Sequence, residues 1–397
     1  MYNQQAYALG SKRSTIREIF EYAKTRSAEI GAENVFDFSI GNPSVPAPKE
    51  VDECITRLLR ETPSVALHGY TSAQGGQDVR AKIAENFSRR FGVPLTAEHL
   101  YMTCGAAASL TITLRALAND GDEFLVFTPY FPEYKVFVES VGAKFTAVAC
   151  DKRTMLPDFQ ALERALNPQV KGIIVNSPNN PSGVVYGEKT LRALAELLRK
   201  KSAEYGKPIF WISDEPYREL IYDDYTAVGC PMGYYDDVIV CYSYSKSLSM
   251  PGERIGYIAL SPSMKNVREL YASVCGAGRA LGYVCAPALF QRVVAECDGL
   301  TAALDVYKRN RDLLYNALTE YGFTCVRPDG AFYLFMQSAE TSATAFCNRA
   351  KLHELLFVPG DDFGCEGYVR IAYCVPTEKI ERALPKFRAL AKEYGLI

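Results

Sequence analysis

Residues 171–220 read KGIIVNSPNNPSGVVYGEKTLRALAELLRKKSAEYGKPIFWISDEPYREL, which is a short apolar run, a helical pattern and a second apolar run. The apolar runs Gly172 to Val175 and Ile209 to Ser213 are predicted strands, and Glu188 to Lys201, rich in leucine and alanine, is a predicted helix. A strand, a helix and a strand in this order are typical of parallel strands joined by a crossover helix. The stretch therefore predicts an α/β fold.

The same alternation extends from about Leu100 to Leu260 and predicts a mainly parallel sheet of seven strands. In the helix Asp78 to Phe91, apolar residues recur every four positions, so one face of this helix is expected to cover the sheet. The other five predicted strands are Leu100 to Thr103, Glu123 to Phe127, Phe145 to Ala149, Val238 to Tyr242 and Gly256 to Leu260.

A second, smaller α+β domain is predicted near the C-terminus, since 397 residues exceed one compact core. Helical pattern dominates Ser263 to Glu320, and the strands Ala331 to Met336 and Tyr368 to Tyr373 flank the helix Thr341 to Leu352. A helix from Ser14 to Ile30 precedes the loop GNPSVPAP. We predict a large domain over residues 45–285 and a small domain formed by residues 1–44 and 286–397.

Composition excludes several classes of partner. The net charge of -2 gives no field that would attract nucleic acid. No stretch approaches the ~20 apolar residues that cross a membrane, and the start lacks an apolar signal region, so a cytoplasmic location is expected. The 12 cysteines form no CxxC pair and the 3 histidines lack the spacing of a helical metal pair, so no metal site is predicted.

One lysine stands in a segment rich in small hydroxyl residues, SYSKSLSMPGERIGY, from Ser243 to Tyr257. A lysine reacts with an aldehyde only when its amine is neutral part of the time, and burial beside cations lowers its pKa. Lys246 is therefore a candidate nucleophile, and Arg254 is a cation in the same segment. A solvated loop lysine is the alternative for this segment taken alone.

Three further segments follow predicted strands, at the edge where α/β sheets bind ligands. ISDEPYREL contains Asp214 and Tyr217, although an aspartate there is often only a helix cap. NSPNNPSG contains Asn180, although such dipeptides also form ordinary turns. In TCGAAASL a strand meets a helix, so the backbone N–H groups of Gly105, Ala106 and Ala107 could bind phosphate, unless this is a plain packing turn.

These segments resemble those of the class I and II aminotransferases, in which a serine is followed three positions later by lysine and eight positions after that by arginine. Ser243, Lys246 and Arg254 fit this pattern. The resemblance covers roughly Phe36 to the end and implies the fold-type-I architecture of enzymes that use pyridoxal 5'-phosphate (PLP). In the family's order, the matching residues are Gly41, Tyr70, Gly105, Phe131, Asn180, Asp214, Tyr217, Lys246, Arg254 and Arg370.

The resemblance implies a role for each residue. Lys246 would hold PLP as a Schiff base, Asp214 would keep the pyridine nitrogen protonated, and Asn180 and Tyr217 would contact the ring's 3-oxygen. Phe131 would stack on the ring. The phosphate would be held by Gly105, Ala106, Ala107, Ser243, Ser245, Arg254 and, from a neighbouring subunit, Tyr70, which implies a homodimer.

The substrate side of the site is implied in the same way. Arg370 would bind the substrate α-carboxylate in a bidentate manner, with the Gly41 backbone N–H and Asn180 beside it. The sequence departs from the family where TCGAAASL lacks a second glycine or a polar residue, and where Val79 replaces a leucine. Arg279 falls about where some members place a cation for a second carboxylate, with a solvated arginine as the alternative.

The resemblance implies an aminotransferase that exchanges an amino group between an L-amino acid and a 2-oxo acid in ping-pong half-reactions, with Lys246 as the general base. A β-eliminating carbon–sulfur lyase could use the same apparatus and is the alternative function. A non-catalytic PLP-binding regulatory module is a third hypothesis, disfavoured because no basic patch precedes the domain.

Overall fold

The computed structural model describes residues 2–11, 15–222 and 229–397. Ser14, the first residue of the predicted N-terminal helix, lies outside this range, and the observed helix begins at Thr15. The strands are β1 Phe36–Asp37, β2 Leu100–Thr103, β3 Glu123–Phe127, β4 Lys144–Val148, β5 Val170–Asn176, β6 Phe210–Asp214, β7 Val238–Ser243, β8 Gly256–Leu260, β9 Cys325–Val326, β10 Tyr333–Gln337, β11 Leu355–Leu356, β12 Val358–Pro359 and β13 Tyr368–Ala372.

Helices connect most of these strands, and none in the described part of the chain is long and apolar enough to cross a membrane. They are α1 Gln4–Ser11, α2 Thr15–Ile30, α3 Lys49–Glu61, α4 Ser64–His68, α5 Gln77–Phe91, α6 Ala106–Leu117, α7 Glu133–Ser140, α8 Phe159–Ala165, α9 Glu188–Tyr205, α10 Tyr244–Ser247, α11 Val267–Leu281, α12 Ala288–Cys297, α13 Leu304–Glu320, α14 Ala343–Lys351 and α15 Thr377–Glu393.

Seven strands form one sheet in the order β2-β8-β7-β6-β5-β3-β4, which confirms the predicted fold class. Strand β8 runs antiparallel to both of its neighbours, and the other pairs are parallel. The connection from β7 to β8 contains only the four-residue helix α10, whereas a parallel return needs a longer crossover. The chain therefore turns back at this point, and Lys246 lies in the turn.

Helices cover both faces of the sheet, which explains why most of its strands are buried along their whole length. Successive strand residues point to opposite faces. In β6, Ile212 packs in a core with α6 and α11, whereas Trp211 packs in a core with α5 and α9. Gly92 ends α5 with a φ of 69°, a conformation in which glycine is favoured.

A second, smaller sheet has the order β12-β13-β10-β9 and is antiparallel. Helices α13 and α15 pack together, and their buried residues share a core with this sheet. Near the N-terminus, β1 pairs in parallel with β11, so the start of the chain is attached to its last third. The smaller α+β unit is confirmed, and its boundaries at residues 44 and 286 stay a prediction.

Candidate active site

A cavity of about 360 Å³ opens at the carboxyl ends of β5, β6 and β7. This is the edge at which α/β sheets bind their ligands. Small-domain strands β10 and β13 and the segment after β1 complete its walls. The predicted site residues that line it are Gly41, Ala106, Ala107, Phe131, Asn180, Asp214, Tyr217, Ser243, Ser245, Lys246, Arg254 and Arg370.

Lys246 lies in α10, directly after β7, and its side chain enters the cavity. Its Nζ donates to the carbonyl oxygen of Gly41 at 2.7 Å and lies 5.6 Å from the centre of the Phe332 ring. Burial, with a further contribution from Arg254 and Arg370, lowers the pKa of Lys246 to about 8. A substantial fraction of this amine is therefore neutral near pH 8, as a nucleophile or a general base requires.

Asp214 is the last residue of β6 and is fully buried at the cavity floor. Its Oδ2 accepts a hydrogen bond from the Tyr134 hydroxyl, and its Oδ1 has no partner among the described residues. Burial raises the pKa of Asp214 to about 7. An unpartnered buried carboxylate oxygen is costly, so this atom is available for a donor that enters the cavity.

Two tyrosines meet at one wall of the cavity. The hydroxyls of Tyr217 and Tyr333 lie 2.9 Å apart, and burial raises the pKa of Tyr217 well above its usual value. Both hydroxyls therefore stay protonated at neutral pH and act as hydrogen-bond donors. Asn180 is placed beside them because its backbone N–H donates to the Asn176 side chain at 2.7 Å.

The amino end of α6 forms the opposite wall. Gly105 precedes this helix with a φ of 88°, and a Cβ there would lie 2.9 Å from Nη2 of Arg254. Only glycine allows this backbone and the arginine to approach so closely. The unpaired first-turn N–H groups and the helix dipole favour an anion, and the Arg254 guanidinium adds a full positive charge.

Arg370, on β13, is buried beside the cavity between the rings of Tyr333 and Phe363, with Cζ 4.7 and 4.9 Å from their centres. Its Nη1 donates to Asn180 Oδ1 at 3.0 Å and its Nη2 donates to the Ser39 carbonyl oxygen. Its Nε has no partner among the described residues, and burial lowers the pKa of Arg370. A carboxylate would satisfy this guanidinium better than the neutral oxygens do.

Gly41 lies where the N-terminal segment crosses the cavity. A Cβ at this position would stand 1.9 Å from the Tyr333 hydroxyl oxygen, so a larger residue would displace that tyrosine. Its carbonyl oxygen accepts the hydrogen bond from Lys246. The structure therefore assigns a contact to the Gly41 carbonyl, whereas the sequence suggested its backbone N–H.

Three predicted residues do not line the cavity of this chain, and one of them, Gly105, directly precedes the lining residue Ala106. Tyr70 is 98% exposed and does not line it, so its suggested role across a subunit interface stays a prediction. Arg279, near the end of α11, is also exposed and does not line it.

Sequence reasoning missed several residues of the site. Tyr134 stands in the quoted segment TPYFPEY, but its contact with Asp214 spans 80 positions. Tyr333 stands in a predicted strand that carried no recognised motif. Ile16, Ile40 and Asn176 also line the cavity. Asn176 opens the quoted segment NSPNNPSG and Ile40 precedes the loop GNPSVPAP, but neither residue was singled out from the sequence.

The donor set of the cavity fits PLP. An amine of lowered pKa suits an aldehyde, the free Oδ1 of Asp214 suits a protonated ring nitrogen, and the first turn of α6 with Arg254 suits a phosphate. These three features lie around one cavity, which is the arrangement that such a group needs.

The sequence pattern of the family described as "Aminotransferase class I and II" matches residues 33–387. The chain is 30% identical to a probable aspartate aminotransferase of Methanocaldococcus jannaschii, with 94% of this chain and 96% of the relative covered. It is 31% identical to the aspartate/prephenate aminotransferase of Thermus thermophilus, over 87% and 88%. It superposes on an amino transferase from Eubacterium rectale with a TM-score of 0.97 and 54% identity, covering 99% of both chains.

Proposed function

The chain belongs to the class I and II aminotransferases and is itself an aminotransferase; we propose that Lys246 carries its PLP and that Arg370 binds its substrates. The observation that carries this proposal is the convergence of three buried groups on one cavity. They are an amine of lowered pKa, a carboxylate oxygen and a guanidinium, and among the described residues the oxygen has no hydrogen-bond partner and the guanidinium has no carboxylate. The substrates are an L-amino acid and a 2-oxo acid.

Each part of the cofactor has a counterpart in the chain. Asp214 would hold the ring nitrogen in its protonated state, while Asn180 and Tyr217 would donate to the ring's 3-oxygen. The phosphate would be bound by the backbone of Gly105, Ala106 and Ala107, the hydroxyls of Ser243 and Ser245, and Arg254. Phe131 would pack on the ring. When bound, PLP supplies an aldehyde for the amino group and a ring that accepts an electron pair.

Arg370 orients the substrate. Its buried guanidinium would form two hydrogen bonds with the α-carboxylate, and Asn180 holds Nη1 in place. The rings of Tyr333 and Phe363 fix the guanidinium plane and exclude water from it. A carboxylate bound there presents its Cα toward the same cavity that Lys246 enters.

Lys246 moves the proton. In its neutral form it would remove the proton from the substrate Cα and later return one, because both amino acid and oxo acid occupy the same site in turn. The hydrogen bond to the Gly41 carbonyl holds its Nζ inside the cavity. One site that serves both half-reactions predicts ping-pong kinetics.

Three further expectations are part of this proposal. The exposed Tyr70 suggests that two copies of the chain assemble, with each Tyr70 directed to the other's phosphate site. A cytoplasmic location and a large domain over residues 45–285 are proposed on the grounds of sequence. Nothing favours the carbon–sulfur lyase, since the relatives compared are named as aminotransferases.

An absorption spectrum of the purified protein with PLP tests the proposal. We expect a band of lysine-bound PLP that converts to the pyridoxamine form when an amino acid is added without any oxo acid. A Lys246→Ala variant should lack the lysine-bound band. A band that persists while pyruvate accumulates would favour the lyase, and failure to bind PLP would contradict the cofactor assignment.

A further inference from the structure

The charged residues of the cavity are few. Among the described residues that line it, only Asp214, Lys246, Arg254 and Arg370 carry charge. On the proposed function, Arg254 faces phosphate, Lys246 and Asp214 face the cofactor, and Arg370 faces the α-carboxylate. No further cation of this chain's described residues is left in the cavity for a second carboxylate.

The remaining wall is apolar. Ile16 from α2 and Ile40 from the segment after β1 line the cavity, together with the ring of Tyr333. Ile40 immediately precedes Gly41, whose carbonyl contacts Lys246, and it lines the same cavity as Lys246. When Arg370 binds the α-carboxylate and Lys246 reaches Cα, the substrate side chain extends toward these apolar residues.

Among the residues that the structure describes, the space beyond this wall does not supply a free cation either. An outer cavity of about 620 Å³ shares Ile16 and Phe131 with the first. Its basic residues are Arg17 and Lys135, and its acidic residues are Glu133, Glu139 and Asp362. Lys135 Nζ lies 3.9 Å from Glu139, and Arg17 Nε lies 3.6 Å from Glu21. The acidic residues therefore outnumber the basic ones.

Resting on the proposed function, we propose that the preferred amino donor has an uncharged, apolar side chain of the aromatic or branched aliphatic class, and that Ile16 and Ile40 contact it. A carboxylate placed against this wall would lose its water without gaining a partner, whereas an apolar side chain gains by burial. Both effects disfavour aspartate relative to leucine or phenylalanine.

The decisive comparison is between L-aspartate and L-asparagine, because they have nearly the same shape and differ in charge. We expect the rate of the half-reaction per unit concentration to be at least about tenfold higher for asparagine than for aspartate, and higher still for leucine and phenylalanine. A rate for aspartate that exceeds that of asparagine would overturn the proposal.

A binding measurement separates this inference from the proposed function. If no amino acid converts the cofactor, the aminotransferase proposal fails, but the wall can still be tested by titrating the PLP-loaded protein with 3-phenylpropionate and with maleate. We expect the monocarboxylate to bind at least about tenfold more tightly. Tighter binding of maleate would overturn the assignment of the apolar wall.

Ile40→Lys and Ile40→Met form a matched pair, because the two new side chains have similar length and only one is charged. The lysine variant should raise the rate ratio of aspartate to asparagine about tenfold over the methionine variant. Equal ratios would show that Ile40 does not contact the substrate side chain. If wild type prefers aspartate and Arg279→Ala abolishes that preference, a cation from a second copy is present and the proposal is wrong.

Discussion

Arg311 and Arg370 are both buried almost completely, and their surroundings differ. Arg311, in the core of the small sheet, lies 2.8 Å from an Asp312 carboxylate oxygen, donates to the Pro328 carbonyl and stacks on the Tyr222 ring. Arg370 has two neutral oxygens as acceptors and no carboxylate partner among the described residues.

This difference distinguishes a buried charge that supports the fold from one that binds a ligand. A buried charge with a counter-charge in the same chain has part of its desolvation cost offset within the fold, and removing either partner destabilises the folded state. A buried charge without one is maintained for a charge that arrives from outside. Lys246 and Asp214 belong with Arg370 in the second class, since neither forms an ion pair in the described structure and both have pKa values shifted by burial.

The largest effect is expected at Lys246. Lys246→Ala removes both the attachment of the cofactor and the proton carrier, so turnover should fall by about 10⁴-fold or more. Thermal unfolding of the protein without cofactor should be nearly unchanged. Stopped-flow measurement of the half-reaction tests this, with the exposed Lys265→Ala as control. Turnover close to that of the control would place the reacting amine elsewhere.

The next largest effect is expected at Arg370, and its comparison with Arg311 tests the distinction between the two arginines directly. Arg370→Met should lower kcat/KM by about 10²–10³-fold, because the substrate carboxylate loses its charged partner. It should change the free energy of unfolding by less than about 1 kcal/mol, because no ion pair is broken. Arg311→Met should instead lower stability by about 2 kcal/mol and leave kcat/KM within about threefold.

Urea unfolding at fixed protein concentration and steady-state kinetics measure both quantities. If Arg370→Met proved as destabilising as Arg311→Met, the distinction between the two classes of buried charge would not hold.

A smaller effect is expected from the proton on Asp214. Its carboxyl has a pKa of about 7 in the folded chain, against about 4 when unfolded. Between these values the folded state binds the extra proton, so stability falls as the pH rises. The Asp214→Asn variant without cofactor should be more stable than wild type at pH 8, by roughly 2–4 kcal/mol, and by less at pH 5.

Urea titrations at both pH values, with the surface variant Asp120→Asn for comparison, check this expectation. A stabilisation that does not grow between pH 5 and pH 8 would mean that Asp214 is already ionised throughout this range.

The smallest effect is expected at Tyr134. Tyr134→Phe removes the hydrogen bond that Asp214 Oδ2 accepts, and this bond lowers the pKa of the carboxyl. We expect kcat/KM to fall about tenfold at neutral pH, and its acid limb to move to higher pH. Tyr186→Phe, at a buried tyrosine outside the cavity, is the control. An unmoved acid limb would leave Tyr134 with a packing role only.

Much of the large sheet was predictable because its strands are buried on both faces and therefore read as continuous apolar runs. Leu100–Thr103, Glu123–Phe127 and Gly256–Leu260 begin and end where the sequence predicted. The predicted strand from Ile209 is observed one residue later, so Asp214 ends β6 instead of following it. The hydrophobic pattern and the composition of a segment do not determine at which residue a strand begins or ends.

The parts of the site that lie after strands were predictable because the carboxyl ends of parallel strands meet at one edge. Contacts between side chains were not predictable, because they depend on the direction in which each side chain points. The Tyr217–Tyr333 contact joins residues 116 positions apart, one in the turn after β6 and the other in β10. Ile16 reaches the cavity from helix α2, in which no motif pointed to the site. The predicted role of the exposed Tyr70 can be tested only with a second copy of the chain present.

The pairing of β1 with β11 has a consequence for biosynthesis. Lys246 and Arg370 both bond to carbonyl oxygens of the segment after β1, and Arg370 itself lies in β13, close to the C-terminus. The ribosome synthesises the segment after β1 hundreds of residues before it synthesises Arg370. An elongating chain can thus form its large sheet early, but it gains a complete substrate site only when the final strand has been released from the exit tunnel.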